Sequence, residues 1–124
     1  MFQTVLFVAC GGALGAVLRY LTNLGALRFL GSGFPVATMA VNLAGSFVMG
    51  LLAVSLARLN LTALSPFLMT GILGGFTTFS AFSLDAMSLW ERGAMAQAFL
   101  YVSVSVLGAL IAVVLGAALA RSLT

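Results

Sequence analysis

Ionisable side chains are almost absent from this sequence. Its 124 residues include five arginines, one aspartate and one glutamate, and neither lysine nor histidine occurs. An average soluble domain carries about a quarter charged residues, whereas here the charged share is 6% and the hydrophobic share is 63%. So few charges cannot cover the surface of a water-soluble domain. The composition therefore excludes a soluble protein and indicates a single domain that lies in lipid.

The missing residue types also exclude several kinds of chemistry. Without histidine there is no Ser-His-Asp triad, and the single cysteine, Cys10, rules out a Cys/His metal cluster. Asp85 and Glu91 are six residues apart, so a helix would direct them to different faces. The arginines are scattered singly, which gives no basic run for nucleic acid. We therefore expect neither an enzyme nor a nucleic-acid-binding protein, and we expect Cys10 to be a small buried hydrophobe.

Four apolar segments are each long enough to cross a bilayer core of about 30 Å. They are predicted at about residues 2–21, 35–57, 66–90 and 95–120. The first segment has no charged side chain before Arg19, which favours a membrane helix over a signal peptide. Pro35 and Pro66 suit the first turn of the second and third segments. The sequence predicts an all-α membrane protein with four transmembrane helices and a short connection over residues 22–34.

The third segment contains an unusual run of helix-breaking residues. Gly74 and Gly75 are followed, after Phe76, by Thr77 and Thr78, and paired glycines and β-branched threonines are poor helix formers. In lipid, each freed backbone group is costly unless protein or a water-filled cavity surrounds it. We predict a helix break within residues 74–79 that serves a function, and a tight turn at residues 91–93.

The arginines give almost no preference for one orientation in the membrane. Arg58 and Arg121 fall on the side of the two termini, Arg28 and Arg92 fall on the other side, and Arg19 lies near the latter edge. A chain without this bias can insert both ways round and form an antiparallel homodimer. In so small a protein the missing bias can equally arise by chance, and the count does not decide between the two.

Polar side chains recur every four residues on two of the predicted helices. They are Thr38, Asn42 and Ser46 on the second and Tyr101 and Ser105 on the fourth, where Ala109 continues the row. An asparagine amide in hydrocarbon needs partners because it offers two donors and an acceptor. Asn42 either lines a polar path or holds two helices together, and spacing alone leaves both open.

Three further residues in the third segment admit a functional interpretation. Phe79 and Phe82 could face lipid or core, but a phenyl ring also has an electropositive edge that can line a path for a small anion. Asp85 is the acid clearly within a span, and such an acid is a functional candidate unless it reaches water at the helix end.

Small residues four apart predict close helix packing, which extends in our interpretation to a dimer interface. The pairs and triplet are Gly11 and Gly15, Ser46 and Gly50, Gly71 and Gly75, and Gly108, Ala112 and Gly116.

The run of residues 74–83, GGFTTFSAFS, resembles the broken third helix of the Fluc fluoride channels, which are small bacterial membrane proteins. The resemblance extends to GGALGAVLR at 11–19, NLAG at 42–45 and the four-span plan. It implies an antiparallel, dual-topology homodimer with two pores, each built from both subunits. It further implies that main-chain carbonyls of Gly74 and Thr77 hold a structural sodium ion at the dimer interface.

The same resemblance assigns residues to the ion pathway. The implied set is Phe79 and Phe82 as pore-lining rings, Asn42 as a nearby donor, Tyr101 and Ser105 as a hydroxyl track, and Thr38 and Asp85 near a vestibule, with Arg19 near the end of the first helix. At Ala109 the sequence departs from relatives that carry a second serine, and Ser80 or Ser103 could share that work.

The resemblance implies passive, selective export of toxic fluoride across the inner membrane of a bacterium, with fluoride, lipid and a second copy of the chain as partners. Rival hypotheses are a small multidrug or cation transporter and a non-transporting assembly protein. Such transporters need an acid in the first span, and residues 1–22 contain none. An assembly protein would need neither the Thr38–Asn42 stripe nor the helix break. A membrane enzyme is the weakest hypothesis because acid and base groups are lacking.

Overall fold

The computed structural model describes all residues from 1 to 124 and is entirely helical. Four apolar helical segments are long enough to cross a membrane, which confirms the predicted fold class. The elements in chain order are α1 (Phe2–Leu30), α2 (Val36–Arg58), a 3-10 turn (Thr62–Leu64), a π-helix (Pro66–Leu73), α3 (Gly74–Phe76), α4 (Phe79–Glu91) and α5 (Met95–Leu123).

The first helix is longer than the sequence predicted. We expected a connection from residue 22, but α1 continues to Leu30 and only a short loop separates it from α2. A helix of 29 residues is about 43 Å long, so it extends beyond a hydrocarbon core of about 30 Å. The prediction was wrong here because it stopped where the apolar run met Arg19, whereas residues 22–30 contain no proline that would end a helix.

The third span is broken where the sequence predicted a break. Its first half starts at Pro66 as a π-helix and ends with the single turn α3. The chain is then extended at Thr77 and Thr78 before α4 begins. The predicted interval of residues 74–79 is therefore correct, and the interruption itself is confined to two residues.

Glycines allow the helices to approach closely. A side chain on Gly15 would collide with the carbonyl oxygen of Ile72, so α1 lies directly against the π-helix. A side chain on Gly50 or Gly116 would likewise collide with a carbonyl oxygen of the opposite helix, so α2 packs closely along α5. The predicted small-residue seams are thus confirmed as packing surfaces within one chain.

Arginines link the helices at both ends of the bundle. Arg58 donates a hydrogen bond to the carbonyl oxygen of Arg121 (3.0 Å), which places the two residues at the same end, as predicted. At the opposite end Arg92 donates to the carbonyl oxygen of Gly33 (3.0 Å). The predicted turn that includes Arg92 is present, with Gly93 at φ 75°.

The prediction for Cys10 was wrong. Its side chain is exposed on the outer face of α1 rather than buried. A small apolar side chain on a membrane helix can face lipid as readily as protein, because lipid tails are themselves apolar.

Candidate functional site

The helix break is held open by the side chain of Asn42. The backbone at Thr78 is extended (φ −154°, ψ 121°). Asn42 accepts a hydrogen bond from the Thr78 N–H through Oδ1 (2.7 Å) and donates through Nδ2 to the Thr78 carbonyl oxygen (2.9 Å). One amide side chain thus satisfies both backbone groups of the residue that no longer fits a helix. Its second N–H remains available, so Asn42 both joins two helices and retains a free donor.

The carbonyl oxygens of Gly74 and Thr77 are among those that the break leaves without their usual helical donors. In a continuous helix, the carbonyl of Gly74 would accept from the Thr78 N–H and that of Thr77 from the Ala81 N–H. The Thr78 N–H instead binds Asn42, and the Ala81 N–H binds the Thr78 hydroxyl (3.1 Å). Thr77 O accepts only a long hydrogen bond from Arg19 Nη1 (3.4 Å). Backbone oxygens of this kind suit a hard cation.

A groove of about 440 Å³ lies beside the break, between α2, α4 and α5. Its polar groups come from Asn42, Ser46, Thr77, Thr78 and Ser105, and the rest of its wall is apolar. No charged side chain lines it. Ser105 is only 5% exposed, and its Oγ has no hydrogen-bond partner in the chain. An unpartnered buried hydroxyl beside a cavity is free to bind a ligand placed there.

Three aromatic rings continue from this groove towards the other end of the bundle. Phe79 and Phe82 have ring centroids 5.4 Å apart, and Phe82 lies 5.4 Å from Tyr101. Phe82 is buried, whereas Phe79 is 77% exposed on the outside of the chain. The ring of Tyr101 meets that of Phe34 edge-on at 5.7 Å.

A second cavity, of about 480 Å³, lies beyond Tyr101. Thr38, Asp85 and Arg92 line it, together with residues of the last turns of α1. Tyr101 is fully buried, and its hydroxyl donates to Asp85 Oδ2 (3.0 Å). The continuation of α1 beyond residue 21, which the sequence did not predict, supplies Asn23, Leu24, Ala26 and Leu27 to the lining of this cavity.

The structure distributes the predicted pathway residues over these two cavities. The first cavity holds Asn42, Phe79, Phe82 and Ser105, together with Ala109, and the second holds Thr38 and Asp85. Tyr101 lies between them through its contacts with Phe82 and Asp85.

Four predicted residues lie outside both cavity linings, and one of them, Arg19, instead bonds the carbonyl oxygen of Thr77 at the break. Ser80 is exposed and bonds Thr78 Oγ1 (3.2 Å), and Ser103 also lies outside both linings. Gly74 is on the exposed surface of the chain, outside both cavities, although Thr77 lines the first.

Sequence reasoning missed the roles of Thr78 and Phe34. Thr78 is the residue that Asn42 binds, and its hydroxyl caps α4. A threonine directly before a helix is a common capping residue, so the paired threonines could have indicated this role. Phe34 gave no such signal, because its contact with Tyr101 joins residues far apart in the sequence.

Comparison with known proteins places these features in one family. Residues 6–117 match the family described as "CrcB-like protein, Camphor Resistance (CrcB)". A protein of Mesorhizobium japonicum named "Fluoride-specific ion channel FluC" is 56% identical over 96% of this chain and 97% of its own length. A protein of the same name from Cereibacter sphaeroides is 59% identical over 86% of this chain and 85% of its own length. Another, from a Ruegeria species, is 56% identical over 98% of this chain and 97% of its own length. The match covers nearly the whole of the four-helix bundle, and the chain therefore belongs to the CrcB-like family.

Proposed function

We propose that this protein is a fluoride channel, not an enzyme, and that it conducts the anion passively down its gradient. The observation that carries the proposal is the first cavity, where Asn42 and Ser105 retain free donors in an uncharged wall next to the Phe82 ring. The shared name of the relatives supports fluoride as the ion.

The donors in this cavity suit a small, strongly hydrated anion. Such an ion leaves water only if the pore replaces its hydration shell, and it leaves the pore only if no site holds it too tightly. Amide, hydroxyl and aromatic-edge groups supply partial positive charge without a full cation. The absence of any charged side chain from the lining agrees with rapid passage of an anion.

The proposed functional unit is an antiparallel homodimer with two pores. The first cavity is a groove open to the outside of the chain, and the ring of Phe79 beside it is 77% exposed. A second copy would close the groove and cover this ring. The nearly even distribution of arginines between the two ends permits insertion in both orientations, which an antiparallel pair requires.

A structural sodium ion at the centre of the dimer is the proposed partner of the freed carbonyls. Gly74 and Thr77 would hold it, since their oxygens lack helical donors and Gly74 lies on the exposed surface of the chain. A bound cation would supply positive charge that balances these oxygens. The chain's own contribution is to keep the break extended through Asn42, so that these oxygens stay without helical donors.

The four spans make this a multi-pass membrane protein, and we place it in the inner membrane of a bacterium. Fluoride enters acidified cells as neutral HF and is trapped inside as the anion. A passive fluoride channel in that membrane would therefore relieve its toxicity.

The decisive experiment is efflux of fluoride from liposomes that contain the purified protein, with chloride efflux as the control. Fast release of fluoride with little release of chloride is the expected result. Release of neither ion from well-incorporated protein would contradict the proposal and favour a transporter or an assembly protein. Equal release of both ions would show a pore without the proposed selectivity.

A further inference from the structure

The hydroxyl of Tyr101 has a single proton, and an anionic group of the chain already uses it. Tyr101 is fully buried on α5, and its O–H donates to Asp85 Oδ2 on α4 (3.0 Å). A hydroxyl is one donor, although its oxygen can accept. Tyr101 therefore cannot donate to a passing anion while it is bound to Asp85.

The pair lies between the two cavities and contacts a lining residue of each. The ring of Tyr101 contacts Phe82, which lines the first cavity, and its hydroxyl contacts Asp85, which lines the second. An ion that moves from one cavity to the other along these contacts passes this tyrosine.

We propose that the Asp85 carboxylate is a resident anion that competes with fluoride for the Tyr101 hydroxyl. This inference rests on the proposed fluoride conduction. A carboxylate oxygen and a fluoride ion make the same demand, a charge-assisted hydrogen bond from an O–H donor. Fluoride that arrives at Tyr101 displaces Asp85, and the carboxylate returns to the hydroxyl when fluoride leaves, so the donor always has an anionic partner.

The second cavity offers the displaced carboxylate a place to go. Asp85 already lines it, and Arg92, the residue directly after the end of α4, lines it as well. A carboxylate turned into this cavity meets water and a positive charge instead of apolar wall. The exchange therefore needs a change of side-chain rotamer at Asp85 and no movement of the helices.

The first test is a double-mutant cycle on the fluoride concentration that half-saturates efflux. Asp85→Ala frees the hydroxyl and should lower this concentration by about tenfold, the usual effect of one hydrogen bond to a charged group. Removal of the negative charge alone would also help an anion. The same substitution is therefore made in Tyr101→Phe, where no hydroxyl is contested and the effect of Asp85→Ala should be much smaller. An equal effect in both backgrounds would overturn the inference.

The second test observes the carboxylate itself. In Glu91→Gln protein, Asp85 is the only side-chain carboxylate, because the chain contains just two acidic residues. The infrared difference spectrum between fluoride and chloride should then show a shift of its carboxylate stretching band. The shift should vanish with Tyr101→Phe and persist with Tyr20→Phe, which removes a hydroxyl from the same cavity without any contact to Asp85. A shift that persists in Tyr101→Phe would contradict the exchange.

The outcomes separate this inference from the proposed function. If the unmodified protein releases no fluoride from liposomes, the channel proposal fails. If it releases fluoride but the cycle shows no coupling between Asp85 and Tyr101, the channel proposal stands and only the competition is refuted.

Discussion

Asn42 illustrates how one residue serves both structure and function. The sequence left two hypotheses for it, a lining group or a link between helices, and the structure supports the link directly through two hydrogen bonds to Thr78. The remaining N–H and its place in the first cavity keep the pathway role as a prediction. Neither bond could be read from the sequence, because Asn42 and Thr78 lie in different helical segments.

Asn42→Asp should impair both stability and fluoride efflux. The carboxylate can still accept from the Thr78 N–H, but it cannot donate to the Thr78 carbonyl and would face that oxygen with a negative charge. We expect a loss of about 1–3 kcal/mol in the free energy of unfolding and an efflux at least about tenfold lower. Asn60→Asp is the matched control, since Asn60 lies in an exposed turn at φ 57°, a conformation that aspartate also adopts. Unchanged efflux in Asn42→Asp would contradict the pathway role.

Phe82→Ile tests the aromatic wall of the groove. Phe82 is buried against Phe79 and Tyr101, so the change removes ring-edge contacts and leaves an apolar side chain of smaller volume. We expect fluoride efflux to fall by about tenfold or more while the protein loses only about 1–2 kcal/mol of stability. Phe99→Ile, at a position 78% exposed on α5, should leave efflux as it is. Equal rates in both variants would show that the rings do not line the pathway.

At the scale of the helical elements, the third span contains residues that disfavour a helix and is held in position by close backbone contacts with α1. The run of glycines and threonines predicted a break, and the extended backbone at Thr77 and Thr78 confirms it. The preceding π-helix was not predicted, because its wider turn has no sequence signature as clear as a glycine or proline. The glycine seam of α1 fixes this segment in place by direct backbone contact.

Gly15→Ala and Gly12→Ala form a matched pair that tests this seam. A methyl group on Gly15 would collide with the carbonyl of Ile72, whereas one on Gly12 has no neighbouring atom within 4 Å. We expect Gly15→Ala to destabilise the protein by about 1–3 kcal/mol through overpacking. Gly12→Ala should be neutral or stabilise the helix by up to about 1 kcal/mol. Thermal unfolding in detergent measures both, and a Gly15→Ala protein as stable as Gly12→Ala would refute the seam.

At the scale of the whole molecule, one chain buries little of itself. Only 18 of its 124 residues are buried, which is too few for a self-contained core and leaves most apolar side chains to contact lipid or another copy. The open groove and the exposed ring of Phe79 are the parts of this surface that the dimer proposal uses.

Gly74→Val tests the dimer and its sodium ion together. Within one chain a side chain at Gly74 would meet only the carbonyl of Met69, at an ordinary distance of 3.7 Å. The isolated chain should therefore keep its helical content, so a loss of dimer would report on a partner at this position. We expect light scattering to show monomers for Gly74→Val and dimers for Gly25→Val, where the surroundings are open.

Replacement of sodium by a larger organic cation should weaken the unmodified dimer in the same assay. A Gly74→Val dimer that is stable and indifferent to sodium would contradict the proposed ion site.

The sequence by itself determined the membrane class, the four spans and the position of the break, because these depend on how each segment interacts with lipid and on local backbone preference. The motif of residues 74–83 also indicated the family from the sequence alone, because its residues are contiguous. Only the tertiary structure decided that Asn42 binds Thr78, that Asp85 accepts a hydrogen bond from the Tyr101 hydroxyl and that α1 lines the second cavity. These pairings join residues from separate helices, and they form only where glycine contacts set the distance and register between those helices.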